Sequence, residues 1–161
     1  MEFETRPNDC PICDATVDVP TDLFGTMSEM PKLVSRSFRE PRNISAGSGW
    51  NPHEIAAHLA DIEVTLGWRI RNVLSSDNPV LQPFDQDLWA ISLNYNNREL
   101  ATSLATYAAN RQSNIELLRA AGDAGLDRTF SHPEFGDRPL RILIEHIADH
   151  DITHLKQIRG D

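Results

Sequence analysis

The sequence lacks the features that mark membrane, secreted and nucleic-acid-binding proteins. No run of apolar residues is long enough to cross a bilayer. The start, Met1-Glu2-Phe3-Glu4, is acidic and has neither the basic residues nor the apolar stretch of a signal peptide. The formal net charge of -9 gives a surface that repels phosphate backbones. We therefore expect a cytoplasmic protein that binds neither membranes nor nucleic acids.

Cysteine is scarce as well. The chain has two, Cys10 and Cys13, in a CxxC spacing, and there is no second CxxC to complete a zinc ribbon. Pro7, Pro11 and Pro20 surround the pair and favour an irregular arm over the strand-to-helix turn of a thioredoxin. Three interpretations stay open: a reduced pair in a mobile arm, half of a zinc knuckle that another chain or residue completes, and a redox pair.

The rest of the chain has the composition of one globular domain. Its 161 residues are enough for one domain with a hydrophobic core and too few for two stable domains. Apolar residues make up 40% and charged residues 24%, which are ordinary values for a globular protein. Residues 1–20 are predicted to form the irregular arm with the CxxC, and residues 21–161 to form the domain. No internal repeat or low-complexity tract divides it.

Apolar residues at helical spacing predict four long helices and no convincing strand. Thr21 or Asp22 can cap the first helix, which Pro31 should kink or split. Asn51 and the proline after it begin the second. The other predictions are a loop at 40–49, a short helix near 85–93, a third long helix at about 97–121, an irregular stretch at 128–137 and a fourth long helix at about 139–159. An all-α four-helix bundle is the fold that these elements favour.

Two histidines occupy positions where the fourth helix should be apolar. On a helical wheel, Leu143, Ile147 and Ile158 form one stripe, and His150 and His154 lie in its middle. Two polar rings in a core need partners, because an unpaired buried polar group is costly. The i, i+4 spacing also lets two imidazoles reach one metal ion.

A third histidine, His58, lies at the edge of the apolar stripe of the second helix. Together with His150 and His154 it would hold a divalent ion and leave a position open for water or substrate. The alternative is that the three rings are hydrogen-bonded to Asp and Thr side chains and bind no metal. His146, one turn before His150, is expected to be an ordinary flanking residue rather than a fourth ligand or a proton shuttle.

Two segments of the chain resemble the DinB-like, or DinB/YfiT, metal-binding four-helix bundles. They are Trp50 to Glu63 (WNPHEIAAHLADIE) and His146 to Ile158 (HIADHDITHLKQI). The resemblance implies that His58, His150 and His154 bind a divalent ion such as zinc, nickel, iron or manganese. It also implies that some members are thiol S-transferases or a thiol-dependent isomerase that use small cellular thiols, and that many are homodimers. The CxxC lies outside this family pattern.

The chemistry of such a site leaves the function open. A divalent ion can lower the pKa of a bound water to about 7, which leads to hydrolysis, or hold a thiol as thiolate, which leads to S-transfer. A metal-dependent transferase or hydrolase that acts on a small molecule is the leading hypothesis. The alternative is a non-catalytic metal-binding or stress-related protein. An open coordination position beside a pocket would favour the enzyme.

Arg111 falls on the buried stripe of the third helix, so its charge needs a partner. It is the best candidate for a residue that does not bind the metal itself but contacts the groups around its ligands. The alternatives are an ion pair with Asp61, Glu63 or Asp149, or an extended side chain that reaches the surface. Aromatic residues that could line a pocket are Trp50, Trp89 and Tyr95.

The fourth helix carries a second apolar face. Its members are Ile144, Ala148, Ile152 and Leu155. This face must be covered either by a neighbouring helix or by a second copy of the chain. The second possibility is a residue-level reason to expect a homodimer.

Overall fold

The computed structural model describes residues 3–40 and 49–161, and four long helices form its body. In chain order the helices are α1 (Leu23–Ser37), α2 (Pro52–Ser75), a short α3 (Gln86–Ser92), α4 (Leu100–Leu126) and α5 (Leu140–Arg159). The strands are β1 (Thr5–Cys10), β2 (Ala15–Pro20), β3 (Thr129–His132) and β4 (Gly136–Pro139). The long helices α1, α2, α4 and α5 pack together as the predicted bundle. Within the described ranges, no helix combines the length and apolarity that a bilayer span requires.

The helix ends follow the sequence signals closely. Asn51 caps α2 in a full capping box, because its side chain accepts from the backbone of Glu54 while the Glu54 carboxylate accepts from the Asn51 N–H. Asp22 caps α1 by accepting from Gly25 N. Gly160 ends α5 in the left-handed conformation, with φ 79°. The predicted end of the third long helix at Gly122 is a break with φ 60°, after which α4 continues for one more turn.

Helix α1 continues through Pro31, so the proline does not split it, whereas the predicted kink stays a prediction. A proline inside a helix has no N–H for the carbonyl four residues earlier, which here is Met27 O. That buried carbonyl accepts instead from Nη1 of Arg111 on α4, at 3.2 Å. A tertiary hydrogen bond therefore replaces the one that the proline removes.

The N-terminal segment is a β-hairpin, so the prediction of an irregular arm is wrong. Strands β1 and β2 pair antiparallel from Thr5 opposite Pro20 to Cys10 opposite Ala15. The hairpin packs against α5, and it buries Val17 and Val19. A second hairpin, β3–β4, occupies most of the stretch that was predicted to be irregular at 128–137. Of the loop predicted at 40–49, residues 41–48 lie outside the described part.

The second apolar face of α5 is covered within the single chain. Ile144, Ala148, Ile152 and Leu155 are all less than a tenth exposed, and α5 packs against α1 and β2 as well as α2. The hairpin that the sequence did not predict is thus part of the cover. This face therefore gives no reason to expect a second copy.

Candidate metal centre

His58 lies in the second turn of α2, a position that the Asn51 cap fixes at the start of the helix. Its side chain is 1% exposed and faces α5. The Trp50 indole packs against the imidazole, with ring centroids 4.7 Å apart, and Tyr95 packs against Trp50 in turn. These two aromatic rings therefore pack behind His58. Trp89 does not contact them and stacks instead on Phe84.

His150 and His154 face His58 from successive turns of α5. Nε2 of His150 lies 2.9 Å from Nε2 of His58 and 3.1 Å from Nε2 of His154. Two nitrogens on a tetrahedral zinc ion would be about 3.3 Å apart, given metal–nitrogen bonds of 2.0–2.1 Å. The structure thus brings together the three histidines that the sequence predicts as metal ligands, and the Nε2 atoms are the ones that converge.

Hydrogen bonding alone does not account for this cluster. A neutral imidazole nitrogen either donates one hydrogen or accepts one, so Nε2 of His150 cannot form a full hydrogen bond to both neighbours. His154 Nδ1 lies 2.7 Å from Gln157 Oε1. With that oxygen as acceptor, Nδ1 carries the hydrogen and Nε2 of His154 presents a lone pair to the cluster. Three convergent nitrogen donors fit a divalent transition metal.

Burial keeps His58 and His154 in the neutral form that metals bind. It lowers the pKa of His58 to about 2, and repulsion from His150 and His154 adds to the effect. It also lowers the pKa of His154 to about 4, again with repulsion from His150 as the next cause. At neutral pH protons therefore compete little with a metal ion for these two rings.

Behind His150 lies a buried charge network centred on Arg111. The guanidinium is 1% exposed and pairs with Glu63 Oε2 at 2.6 Å and Asp151 Oδ2 at 2.7 Å. The other oxygen of Asp151 lies 3.6 Å from Nδ1 of His150. Arg111 therefore adjoins the candidate ligands through Asp151, and it also forms the ion pair with Glu63 that was its alternative role.

The other two acids proposed as partners of Arg111 lie elsewhere. Asp61 pairs with Arg98 at 2.7 Å, and Asp149 accepts from the backbone N–H of Asp18 on β2 at 2.9 Å. Sequence reasoning missed Asp151 in this role. The pair joins α4 to α5, so no local sequence signal could have linked Asp151 to Arg111.

A cavity of about 190 Å³ opens beside the cluster. His150 forms part of its wall, together with Arg69, Glu134, His146 and the apolar side chains of Ile62, Phe84, Phe135 and Leu143. His150 is thus shared between the cluster and the cavity. A small molecule in this space would lie next to the candidate metal position.

His146 has a specific partner, so the prediction that it is an ordinary flanking residue is wrong. Its Nδ1 lies 3.4 Å from Sγ of Cys10, the last residue of β1. Burial lowers the pKa of His146 to about 4, and repulsion from His150 adds to this effect. The hairpin that carries Cys10 was not predicted, so no local sequence signal linked these two residues.

The sequence is similar to proteins that are named as metal-dependent. The sequence is 28% identical over 142 residues to a protein of Oceanobacillus iheyensis named "Putative metal-dependent hydrolase", an alignment that covers 85% of this chain and 82% of that protein. A protein of Bacillus mycoides with the same designation is 26% identical over 141 residues, which cover 88% of this chain and 78% of the relative.

A solved structure shares the fold. It was described as YfiT from Bacillus subtilis, a probable metal-dependent hydrolase with an unusual four-helix bundle topology. The two structures superpose with a TM-score of 0.78 at 20% identity, over 86% of this chain and 82% of that one. The sequence profile of the DinB superfamily matches residues 15–158. The chain therefore belongs to the DinB superfamily.

Proposed function

We propose that this protein is a metal-dependent hydrolase of a small molecule, with its divalent ion bound by His58, His150 and His154. The observation that carries the proposal is the convergence of three Nε2 atoms, two pairs of them within 3.1 Å, beside a cavity. A triad of this kind leaves coordination positions open, which favours catalysis over storage. The names of the two relatives above support hydrolysis in particular.

Each protein group has a distinct task in this proposal. A divalent ion in the triad would supply a Lewis acid that activates water. Gln157 fixes the ring orientation of His154, and Asp151 faces the far nitrogen of His150. Burial by itself would raise the pKa of the Asp151 carboxyl. Coulombic attraction to the Arg111 guanidinium outweighs this effect and, with the contact to His150, lowers the pKa, so Asp151 stays ionised and in place.

The cavity limits the substrate. Its volume of about 190 Å³ lies below the roughly 300–1,000 Å³ of drug-sized ligand pockets. The wall includes the cation Arg69 and the anion Glu134 among apolar side chains. A small substrate with both polar and apolar parts fits this lining best.

Thiol transfer is the second reaction to test, since a low-molecular-weight thiol could occupy the same open position as a thiolate. The family resemblance supports it, and no contact in the cavity selects a thiol over water. Both reactions require the same ion, so metal dependence is tested first.

The experiment combines elemental analysis with activity assays. Purified protein, stripped with EDTA, is reloaded with zinc, nickel, iron or manganese and assayed on chromogenic esters, amides and phosphate esters. Parallel assays contain a small thiol with an electrophile. We expect hydrolysis that depends on metal and disappears in His58→Ala and His150→Ala. His53→Ala is the matched control, because His53 lies exposed on the same helix as His58.

Two results would contradict the proposal. A wild-type protein that takes up no ion at the triad would remove the site. Turnover only in the presence of thiol would replace hydrolysis with S-transfer. We also propose a cytoplasmic homodimer on the basis of the family resemblance. A monomer in sedimentation experiments at micromolar concentration would refute the dimer, and cell fractionation tests the location.

A further inference from the structure

A second group of metal-binding side chains lies between the N-terminal hairpin and α5. It consists of Cys10 at the end of β1, Cys13 in the turn that follows, and His146 on α5. One ligand atom from each residue lies within 4.8 Å of the other two. Cys10 is 4% exposed, whereas Cys13 is exposed at the surface of the turn.

Contacts on both sides of His146 hold the hairpin in this position. Arg6 and Asn8 of β1 each donate to one carboxylate oxygen of Glu145, at 2.8 Å in both cases. On β2, the backbone N–H of Asp18 donates to the Asp149 carboxylate at 2.9 Å. Glu145 is only 5% exposed, so its carboxylate is largely removed from water. The two thiols are therefore held against His146 by contacts that involve none of the three.

We propose that Cys10, Cys13 and His146 bind a second metal ion, and that this ion is zinc. Two thiolates in a CxxC spacing and one imidazole are the donors that zinc prefers. A sulfur and a nitrogen on a tetrahedral zinc ion would be about 3.6 Å apart, given bonds of 2.3 and 2.0–2.1 Å. The Cys10 Sγ to His146 Nδ1 distance of 3.4 Å is close to that value.

The fourth coordination position is open to water or to an added ligand. Within the described ranges, no further histidine, cysteine or carboxylate joins this group. Such an ion would join the hairpin turn to α5 through bonds stronger than the hydrogen bonds around it. Its three ligands are different from those of the histidine triad, so it does not depend on the proposed hydrolase function.

The second site adjoins the first. The rings of His146 and His150 are 6.5 Å apart, and both line the 190 Å³ cavity. Ile12, between the two cysteines, lines the same cavity. Zinc in the second site would therefore fix one wall of the space in which the substrate of the first site is proposed to lie.

Zinc stoichiometry and cobalt spectroscopy test the proposal in the full chain under reducing conditions. We expect two equivalents of zinc in the wild type and one in both Cys10→Ser/Cys13→Ser and His58→Ala. Cobalt(II) should give a thiolate-to-cobalt charge-transfer band in the wild type and in His58→Ala. The band should be absent from the double cysteine variant. His53→Ala should retain both ions.

The outcomes separate this proposal from the previous one. A wild type that binds one ion and shows no thiolate band would overturn the second site. A wild type that binds one ion and does show the band would support the second site and contradict the triad. Formation of a Cys10–Cys13 disulfide that resists reductant, with no zinc bound, would also overturn it.

A milder variant covers the case in which the double replacement fails to fold. Cys13 is exposed, so Cys13→Ser leaves the packing of Cys10 intact. Circular dichroism checks the fold. We expect competition with a chelator to show at least tenfold weaker zinc binding at this site, and unchanged affinity would refute the role of the CxxC.

Discussion

Replacing Arg111 with methionine tests the buried charge network most directly. The substitution keeps a long unbranched side chain in the core and removes only the cation and its hydrogen bonds. In the native protein that cation lies 2.6 Å from one Glu63 oxygen and 2.7 Å from one Asp151 oxygen. Neither carboxylate is more than 1% exposed.

The expected cost follows from this burial. Removing one partner of a buried ion pair typically destabilises a protein by about 3–5 kcal/mol, since a buried charge is left without compensation. Here one cation serves two carboxylates, so we expect a loss at the upper end, about 4–5 kcal/mol. A domain of this size commonly has a free energy of unfolding of about 5–15 kcal/mol. The loss expected in Arg111→Met is therefore a large share of the total, about a third of it even at the upper end of that range.

Urea unfolding of the wild type, Arg111→Met, a triple variant and a control variant tests the expected loss of stability. The triple variant Arg111→Met/Glu63→Gln/Asp151→Asn carries no buried carboxylate in the network, and it should recover at least about 2 kcal/mol relative to Arg111→Met alone. Arg119→Met, at an exposed position of the same helix, should change stability by less than about 0.5 kcal/mol. A loss below about 1 kcal/mol in Arg111→Met, or a triple variant no more stable than the single one, would refute the reasoning.

Three further predictions concern the site and its helix. The first is made in EDTA: between pH 7 and pH 5 the wild type should lose about 2 kcal/mol more of its free energy of unfolding than His58→Gln does. The reason is that folding lowers the pKa of His58 from 6.5 to about 2, so only the unfolded chain takes up the proton. Equal losses in urea unfolding would contradict this prediction. Asp151→Asn should weaken zinc binding at the triad about 10–100-fold in chelator competition, since its carboxylate faces His150, and unchanged affinity would mean that Asp151 has only a structural role. Asn51→Ala should lower the free energy of unfolding by about 1 kcal/mol through loss of the capping box, a change that thermal unfolding would detect.

The helices and the three histidines were predictable because their signals are local. Asn51 and Pro52 indicate the start of α2, and Gly160 indicates the end of α5. His150 and His154 interrupt an apolar stripe at a spacing of one turn, which any helical wheel reveals. The bundle fold then requires only that the stripes face one another. That these histidines bind metal stays a prediction.

The hairpins and the charge network were harder to predict from the sequence, because they depend on contacts between residues that are far apart in the chain. Strand β1 is mostly exposed and polar, so it lacks the alternation of a half-buried strand. Cys10 and His146 are 136 residues apart, and only the docked hairpin brings them together. The continuity of α1 at Pro31 likewise depends on Arg111 from another helix. No propensity scale contains such a partner.

The dependence of both candidate metal sites on α5 has a consequence for the order of events during synthesis. The ribosome releases α5 after every other described element, and N-terminal parts of a chain can begin to fold first. Until α5 emerges, His58 has neither of its histidine partners and the CxxC lacks its imidazole. A nascent chain can therefore hold ions at most loosely, and loading at either site should follow completion of this helix. Metal uptake would thus report that α5 has been synthesised and has packed against the other helices.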